Sequence, residues 1–349
     1  MRYLMNGRPA AVAVIISAAA LVAAGCSSTS KAATPQASTS AASTAAGGPS
    51  ASGSATSTAP GASSPAGGSS AGGGMIVAVG AENEYANVIS QIGGRYVSVT
   101  AIESNPNTDP HTFEASPSIA SVVSRAGLVV ENGVGYDTFI DKIDGASRNP
   151  QRTVINVQHL LGLPDSTPNP HLWYNPTTMP AVAKALGADL SRIQPAHAGY
   201  FQSNVAAFDA SLTPWLTALA AFKATYPNTP VATTEPVGDY MLQAAGTDNL
   251  TPFSLQAAIM NGTDPAPQDV TLQNGLFSQH KAKVFVYNQQ VTDTLTQTFL
   301  SAAHANHVPV VGVYETMPTP GYDYQTWMLA EVNALQDAVA HGVSTEKLG

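Results

Sequence analysis

The sequence predicts an α/β protein of two α/β lobes joined by a long helical connection. Three observations carry that expectation. Short apolar, β-rich runs alternate with helically patterned segments from Met75 to Val157. After Pro176 the alternation gives way to almost continuous helical patterning as far as Lys223. It then resumes from Pro230 towards the C-terminus. Strand–helix alternation of this kind builds parallel βαβ units, because a parallel neighbour needs a crossover long enough to hold a helix.

Taken in order, the chain begins with a positive stretch carrying Arg2 and Arg8. Ala10 to Ala24 then runs apolar with only Ser17 interrupting. Such a run has the length of a signal-peptide core and is short for a membrane span. It ends in Leu21-Val22-Ala23-Ala24-Gly25-Cys26, which resembles a bacterial lipobox, with Ala23 at the place where leucine is usual. Residues 1–26 are therefore expected to be a lipoprotein signal peptide and Cys26 the lipidated residue. Cys26 is the sole cysteine, so neither an intrachain disulfide nor a CxxC site can form. Residues 27–74 are almost wholly Ser, Ala, Gly, Thr and Pro, a composition that cannot bury enough apolar surface to fold. They read as a disordered tether with an r.m.s. reach of about 40 Å. Gly68-Ser69-Ser70-Ala71-Gly72 matches a hydrolase nucleophile elbow in letters only, since no strand precedes it and no helix follows.

In the body, Met75–Val79, Tyr96–Ile102, Leu128–Val130 and Thr153–Val157 read as strands. Asn83–Ile92, Pro117–Ala126 and Tyr136–Ile143 read as the helices between them, the first with Tyr85, Val88, Ile89 and Ile92 on one face. Pro195 breaks the central helical stretch and Pro214 lies inside it. The second lobe offers strands at Pro230–Thr233, Val284–Tyr287 and Val308–Val313. Its helices fall at Gly238–Ala245, Gln268–Gln279, Leu295–Ala305 and Tyr324–Ala340. The expected divisions are 75–175 for the N-terminal lobe, 176–228 for the helical connection and 229–349 for the C-terminal lobe. A ligand in such an architecture belongs in the interlobe cleft, near the C-terminal ends of the strands.

Charge narrows the function. The formal net charge is -9, with 14 Lys and Arg against 23 Asp and Glu. Phosphate binding needs clustered Lys and Arg, so nucleic acid is excluded as a partner. Four loop residues follow predicted strands: His111, His171, Glu235 and Glu315. Two imidazoles and two carboxylates, two from each half, form a donor set for a borderline divalent metal. Pro110 and Pro170 stiffen the approach to the two histidines, which lowers the entropy lost on coordination. On spacing alone the alternatives stay open. A histidine in a proline-rich loop can be a surface residue, and Glu235 before Pro236 can be a helix-start carboxylate.

A resemblance sharpens this reading. Asp109-Pro110-His111-Thr112-Phe113-Glu114-Ala115-Ser116-Pro117 resembles the "DPH-x-[FY]-E-x-[ST]-P" signature of the zinc and manganese solute-binding proteins of ABC transporters. Leu128 to Asp137, Asn169-Pro170-His171-Leu172-Trp173 and Val310 to Thr316 are similar to further segments of that family, in the same order. The resemblance covers roughly Ile76 to Ala340. It implies two α/β lobes joined by a rigid helix and a metal held by His111, His171, Glu235 and Glu315. The ligand it implies is Zn2+ or Mn2+, carried as cargo rather than used in catalysis, so no catalytic residue is expected. The implied partners are an ABC permease with its ATPase, and the membrane through the lipid anchor, with the protein a monomer exported to the outer face of the cell membrane or the periplasm. Asn169 stands where the family has Asp, next to a ligand. The histidine-rich loop of many zinc-specific members is missing from the short Gly162–Asn169 connection.

The remaining candidates read as ordinary structure. His304 and His307 are near a predicted helix end, where cationic side chains are favoured. Asp137 and Asp141 read as a solvated or capping pair, Trp173 as a packing wall beside His171, and Gly133-Val134-Gly135 as a turn. Two rival functions use the same residues differently. A zinc-dependent hydrolase on the bacterial cell surface would keep three protein ligands, an open water position and a nearby base. A lipoprotein adhesin would use the metal structurally.

Overall fold

The computed structural model describes residues 74–349. The signal peptide, Cys26, the tether up to residue 73 and the elbow-like match all lie outside the described residues.

Ile76–Glu82 (β1), Val97–Glu103 (β2), Leu128–Glu131 (β3) and Thr153–Asn156 (β4) form a parallel sheet in the order β2-β1-β3-β4. Pro230–Thr233 (β5), Asp248–Asn249 (β6), Val284–Asn288 (β7) and Val310–Val313 (β8) form a second parallel sheet in the order β6-β5-β7-β8. Both sheets have the same topology. The chain leaves the first strand to one side and returns on the other, which opens a crevice at the C-terminal ends of the strands.

Helices fill the crossovers. In the first lobe these are Asn83–Gly93 (α1), Pro117–Arg125 (α2), Thr138–Ala146 (α3) and Val157–Leu160 (α4). Ser116 starts α2 by accepting from the Ile119 N–H at 3.4 Å, with Pro117 at a position whose N–H is not needed. The connection is Thr178–Ile193 (α5), Ala198–Ser211 (α6) and Thr213–Thr225 (α7). Pro195–Thr225 forms one helical rod of 31 residues, about 46 Å long at 1.5 Å per residue. By length and composition alone this rod could cross a membrane. Its large apolar side chains have another use: Phe201, Phe208, Trp215, Leu219 and Phe222 are buried against the rest of the body. The C-terminal lobe adds Asp239–Ala244 (α8), Phe253–Met260 (α9), Pro267–Ser278 (α10), Thr294–Ala305 (α11) and Tyr324–His341 (α12). Asp293 and Asp323 begin α11 and α12 with reciprocal capping boxes to Thr296 and Thr326. At the rod, α6 packs on α5 and α1, while α7 packs on α12 and α8.

Strand alternation divides the core. Ala78 of β1 and Val284 and Val286 of β7 point into one large cluster, which also holds Trp173, Leu186, Phe201, Trp215 and Trp327. Val79 of β1 points to a smaller cluster with Val129 and Ile140, and Phe285 and Tyr287 of β7 to another with Phe277 and Phe299. The large cluster is therefore continuous from the first sheet through the rod to the second. Buried polar ties reinforce it. Asn83 exchanges two 2.9 Å hydrogen bonds with the Met317 backbone, and the Tyr324 hydroxyl donates to the Trp173 carbonyl at 2.6 Å.

Three local features differ from the sequence reading. That reading leaves Gly246–Pro267 unassigned, yet β6 and α9 lie there. Two residues are too few to show a period, and α9 (FSLQAAIM) is apolar on nearly every side, so no face stands out. Strand β1 runs on to Glu82, which carries that carboxylate into the interior at 1% exposure. Asp137 stands at the N-cap position of α3, the capping alternative of that reading, but it is not solvated and its side chain does not cap the helix. It is 3% exposed and accepts from the Asn132 and Gly133 N–H groups at 2.5 and 3.0 Å.

Candidate metal centre

His111, Glu235 and Glu315 sit in loops that follow strands β2, β5 and β8, and His171 in the loop that follows α4. His111 lies in the crossover from β2 to α2, on a single 3-10 turn, Pro110–Thr112. Asp109 caps that turn by accepting from the His111 N–H at 2.8 Å. His171 follows the same scheme after α4: Asn169 Oδ1 accepts from the His171 N–H at 3.0 Å. The same oxygen lies 2.8 Å from His171 Nδ1, so it takes that ring proton and turns Nε2 towards the cleft. Asn169 Nδ2 donates to the Pro236 carbonyl at 2.7 Å and ties the His171 loop to the loop of Glu235.

Glu315 is the hub. Its Oε2 lies 3.1 Å from His111 Nε2 and 3.1 Å from His171 Nε2, and accepts from the Tyr136 hydroxyl at 3.0 Å. Its Oε1 accepts from Asn288 Nδ2 at 2.7 Å. The same amide nitrogen donates to Glu235 Oε2. His111, His171 and Glu315 thus bring their ligand-type atoms within 4.8 Å of one another, and Glu235 is linked to them through Asn288. Glu235 is 2% exposed, and its Oε1 has no hydrogen-bond partner among the described residues. A buried carboxylate oxygen left unpaired is costly, and a cation satisfies it. The His111 side chain is 25% exposed, whereas those of His171 and Glu315 are sealed at 0%. Cavities of about 680 and 720 Å³ meet the two sides of His111, so access from solvent passes that ring.

The surrounding loops are braced by residues the sequence reading passes over. Gln290 Oε1 accepts from the Glu315 and Thr316 N–H groups at 2.6 and 2.8 Å, and its Nε2 donates to the Thr108 carbonyl at 2.8 Å. One side chain therefore holds the loops of His111 and Glu315 together across the cleft. Tyr136 is delivered by the turn at Gly133, where φ is +78° and an added Cβ would fall 2.8 Å from the Gln158 side chain. The available signal was two amides, Asn288 and Gln290, at the end of a strand buried along its whole length.

Electrostatics divide the group. Burial disfavours charge on Glu315, but the hydrogen bonds and positive character of the two imidazoles outweigh it and hold the carboxyl well below its ordinary range. Burial likewise opposes protonation of His111. The hydrogen bond and charge of Glu315, with Glu235 and Asp109 behind, overcome it and raise His111 to about 9. His171 is wholly enclosed and moves down, chiefly from burial. Burial and then the charge of Glu315 push Glu235 well up. His111 and Glu235 are thus both pushed towards their protonated forms.

Of the other histidines, His304 pairs with Glu346 at 2.9 Å, and neither it nor His307 belongs to the metal-capable group. Trp173 stands edge-on to His171 with ring centres 5.4 Å apart and is fully buried, as a packing wall.

Comparison with known proteins agrees with the fold. The family model of the zinc-uptake complex component A, periplasmic, matches residues 79–338. The fold is similar to that of the periplasmic zinc binding protein TroA from Treponema pallidum, with a TM-score of 0.65 and 17% identity over 78% of this chain and 100% of that one. It is also similar to the Cd-bound and Mn-bound periplasmic metal binding protein of Candidatus Liberibacter asiaticus. Both give a TM-score of 0.62 and 18% identity, over 76% of this chain and 99% of theirs. A protein of Thermotoga maritima whose name proposes metal binding is 31% identical over 94 residues, 27% of this chain. That match spans 33% of the relative's own length.

Proposed function

The chain belongs to the family of the periplasmic component A of zinc-uptake complexes, and from that premise we propose that His111, His171, Glu235 and Glu315 hold one divalent transition metal between the lobes for delivery to an ABC importer. The protein captures zinc or manganese outside the cytoplasm and presents it to a permease served by an ATPase. It performs no chemistry on its cargo. The observation that carries the reading is the convergence of two imidazole nitrogens, one from each histidine loop, on one oxygen of Glu315 from the opposite sheet. Nitrogen and oxygen donors in this mixture suit zinc and manganese alike. Elemental analysis of the full chain, followed by competition titration, tests it. One metal per chain is expected, and a protein that takes up neither cation would end the proposal.

Because ligands come from both lobes, the cargo is expected to stabilise the fold by mass action. At a thousandfold excess over Kd the gain is about 4 kcal/mol, or a melting temperature about 10 °C higher. His111→Ala should lose most of that rise. His304→Ala should keep all of it, since its ring is bonded to Glu346. Equal rises in all three proteins would point to metal bound elsewhere.

The reading extends to the N-terminal region. Residues 1–26 act as a lipoprotein signal, Cys26 carries the lipid, and residues 27–74 tether a monomeric body to the outer face of the membrane. Within that body residues 75–175, 176–228 and 229–349 serve as lobe, connection and lobe. Cys26→Ala is expected to move the protein from the membrane fraction to the soluble fraction. A variant that stays in the membrane at wild-type levels would refute the anchor.

A further inference from the structure

Asn288 occupies an unusual place among the polar groups of the site. Its Nδ2 donates to Glu315 Oε1 at 2.7 Å and to Glu235 Oε2, so one amide nitrogen engages one oxygen of each carboxylate. The oxygens left over are Glu315 Oε2, which faces both imidazoles, and Glu235 Oε1, which has no hydrogen-bond partner among the described residues. The amide cannot turn away at low cost. Asn288 is fully buried at the end of β7, its Oδ1 accepts from the Gln290 N–H at 3.0 Å, and its own N–H donates to Thr234 Oγ1 at 3.0 Å. Rotating the side chain would leave buried donors and acceptors unmatched, and each such group is costly.

We propose that Asn288 is a specificity-determining residue that limits Glu235 and Glu315 to one oxygen each towards the cargo and so biases the site towards zinc over manganese. The inference rests on the four-ligand reading above and adds the metal preference to it. Two imidazole nitrogens and two single carboxylate oxygens make four donors, the number a closed zinc site takes. Manganese favours six-coordinate, oxygen-rich surroundings, which these carboxylates could approach only by offering both oxygens. The residue acts through the ligands, without touching the metal. General affinity order already places zinc above manganese, so the informative quantity is the change in preference and not its sign in the wild type.

The test compares Asn288→Ala and the volume-retaining Asn288→Leu with the wild type. The full chain is used in detergent, with zinc chloride and manganese chloride each titrated alone against a competing chelator. The ratio of zinc to manganese affinity is expected to fall about tenfold or more in the variant that folds, the scale seen when partners of ligands are removed. X-ray absorption of the manganese-loaded variant should show more oxygen neighbours than the wild type. A ratio that stays unchanged or rises, even with both affinities reduced, overturns the role of Asn288 and leaves the site reading intact. Glu315→Ala is the separate control. If it binds both metals like the wild type, the site reading itself fails.

Discussion

Replacing Glu315 by alanine is expected to weaken metal binding by roughly a hundredfold to a thousandfold. Zinc held by a full protein ligand set binds with about 10–16 kcal/mol, so one ligand in four accounts for about 3 kcal/mol, and every 1.4 kcal/mol is tenfold. Two effects modify that figure in opposite directions. Glu315 orders both imidazoles through Oε2, so its removal also loosens His111 and His171. Yet Glu315 is what holds the proton on His111, and without it that ring gives up its proton more readily to an incoming cation. The first effect outweighs the second, because it loosens two imidazoles while the second acts on His111 alone. His111→Ala, in the opposite lobe, is expected to fall in the same range. Competition titration at constant pH measures both. A loss smaller than about fivefold in either variant would remove that residue from the ligand set.

The second large effect concerns stability and not cargo. Glu331 on α12 is completely buried, with Oε1 accepting from the Tyr174 hydroxyl at 2.8 Å and from Trp327 Nε1 at 2.7 Å. Burial raises its pKa from 4.5 to about 8, against the two hydrogen bonds, which lower it. The folded protein therefore keeps a proton that the unfolded chain releases. The stability linked to that proton is fully present below about pH 4.5 and drains away as pH rises to about 8. A shift of this size corresponds to a loss on the order of 5 kcal/mol by alkaline pH. Glu331→Gln has no proton to lose and retains an oxygen acceptor for Tyr174 and Trp327. Relative to the wild type, the variant is expected to gain stability between pH 5 and pH 9, reaching a melting temperature about 10 °C higher at the alkaline end. Glu84 and Glu103, raised to about 8 and about 9 mainly by burial, act with the same sign in both proteins and cancel in the comparison. Parallel melting curves across that pH range would show that Glu331 is already ionised in the fold.

Much of this was legible in the chain. Strand–helix alternation located both parallel sheets, because a buried parallel strand is a short apolar run and its crossover helix has its own period. The Asp109-Pro110-His111 and Asn169-Pro170-His171 motifs marked two loops whose capping depends only on near neighbours, and Glu315 followed from its position after β8. The roles of Asn288, Gln290 and Tyr136 were not legible. Each acts on a residue far away in sequence: Tyr136 and Glu315 are 179 positions apart, and Gln290 and Thr108 are 182 apart. Local pattern carries no trace of such pairs. The burial of Glu82, Glu84 and Glu331 was hidden for the same reason, since a carboxylate in a helix or at a strand end reads as solvated until the tertiary fold covers it.

The apolar cluster shared by the two sheets and the rod bears on how long cargo stays. Swinging the lobes apart as rigid halves would expose parts of a surface that includes Trp173, Trp215 and Trp327. An aromatic of this kind buries about 150–250 Å², so each one exposed costs roughly 4–6 kcal/mol at about 25 cal/mol per Å². Opening two of them would slow the event by some six orders of magnitude or more. On the proposed ligand set, release of a bound ion is expected to follow the least costly local displacement, that of the part-exposed His111 on its single capped turn, clasped across the cleft by Gln290. The molecule is then expected to work less as a hinge than as a rigid vise with one movable jaw, whose grip loosens by displacing a few residues of backbone.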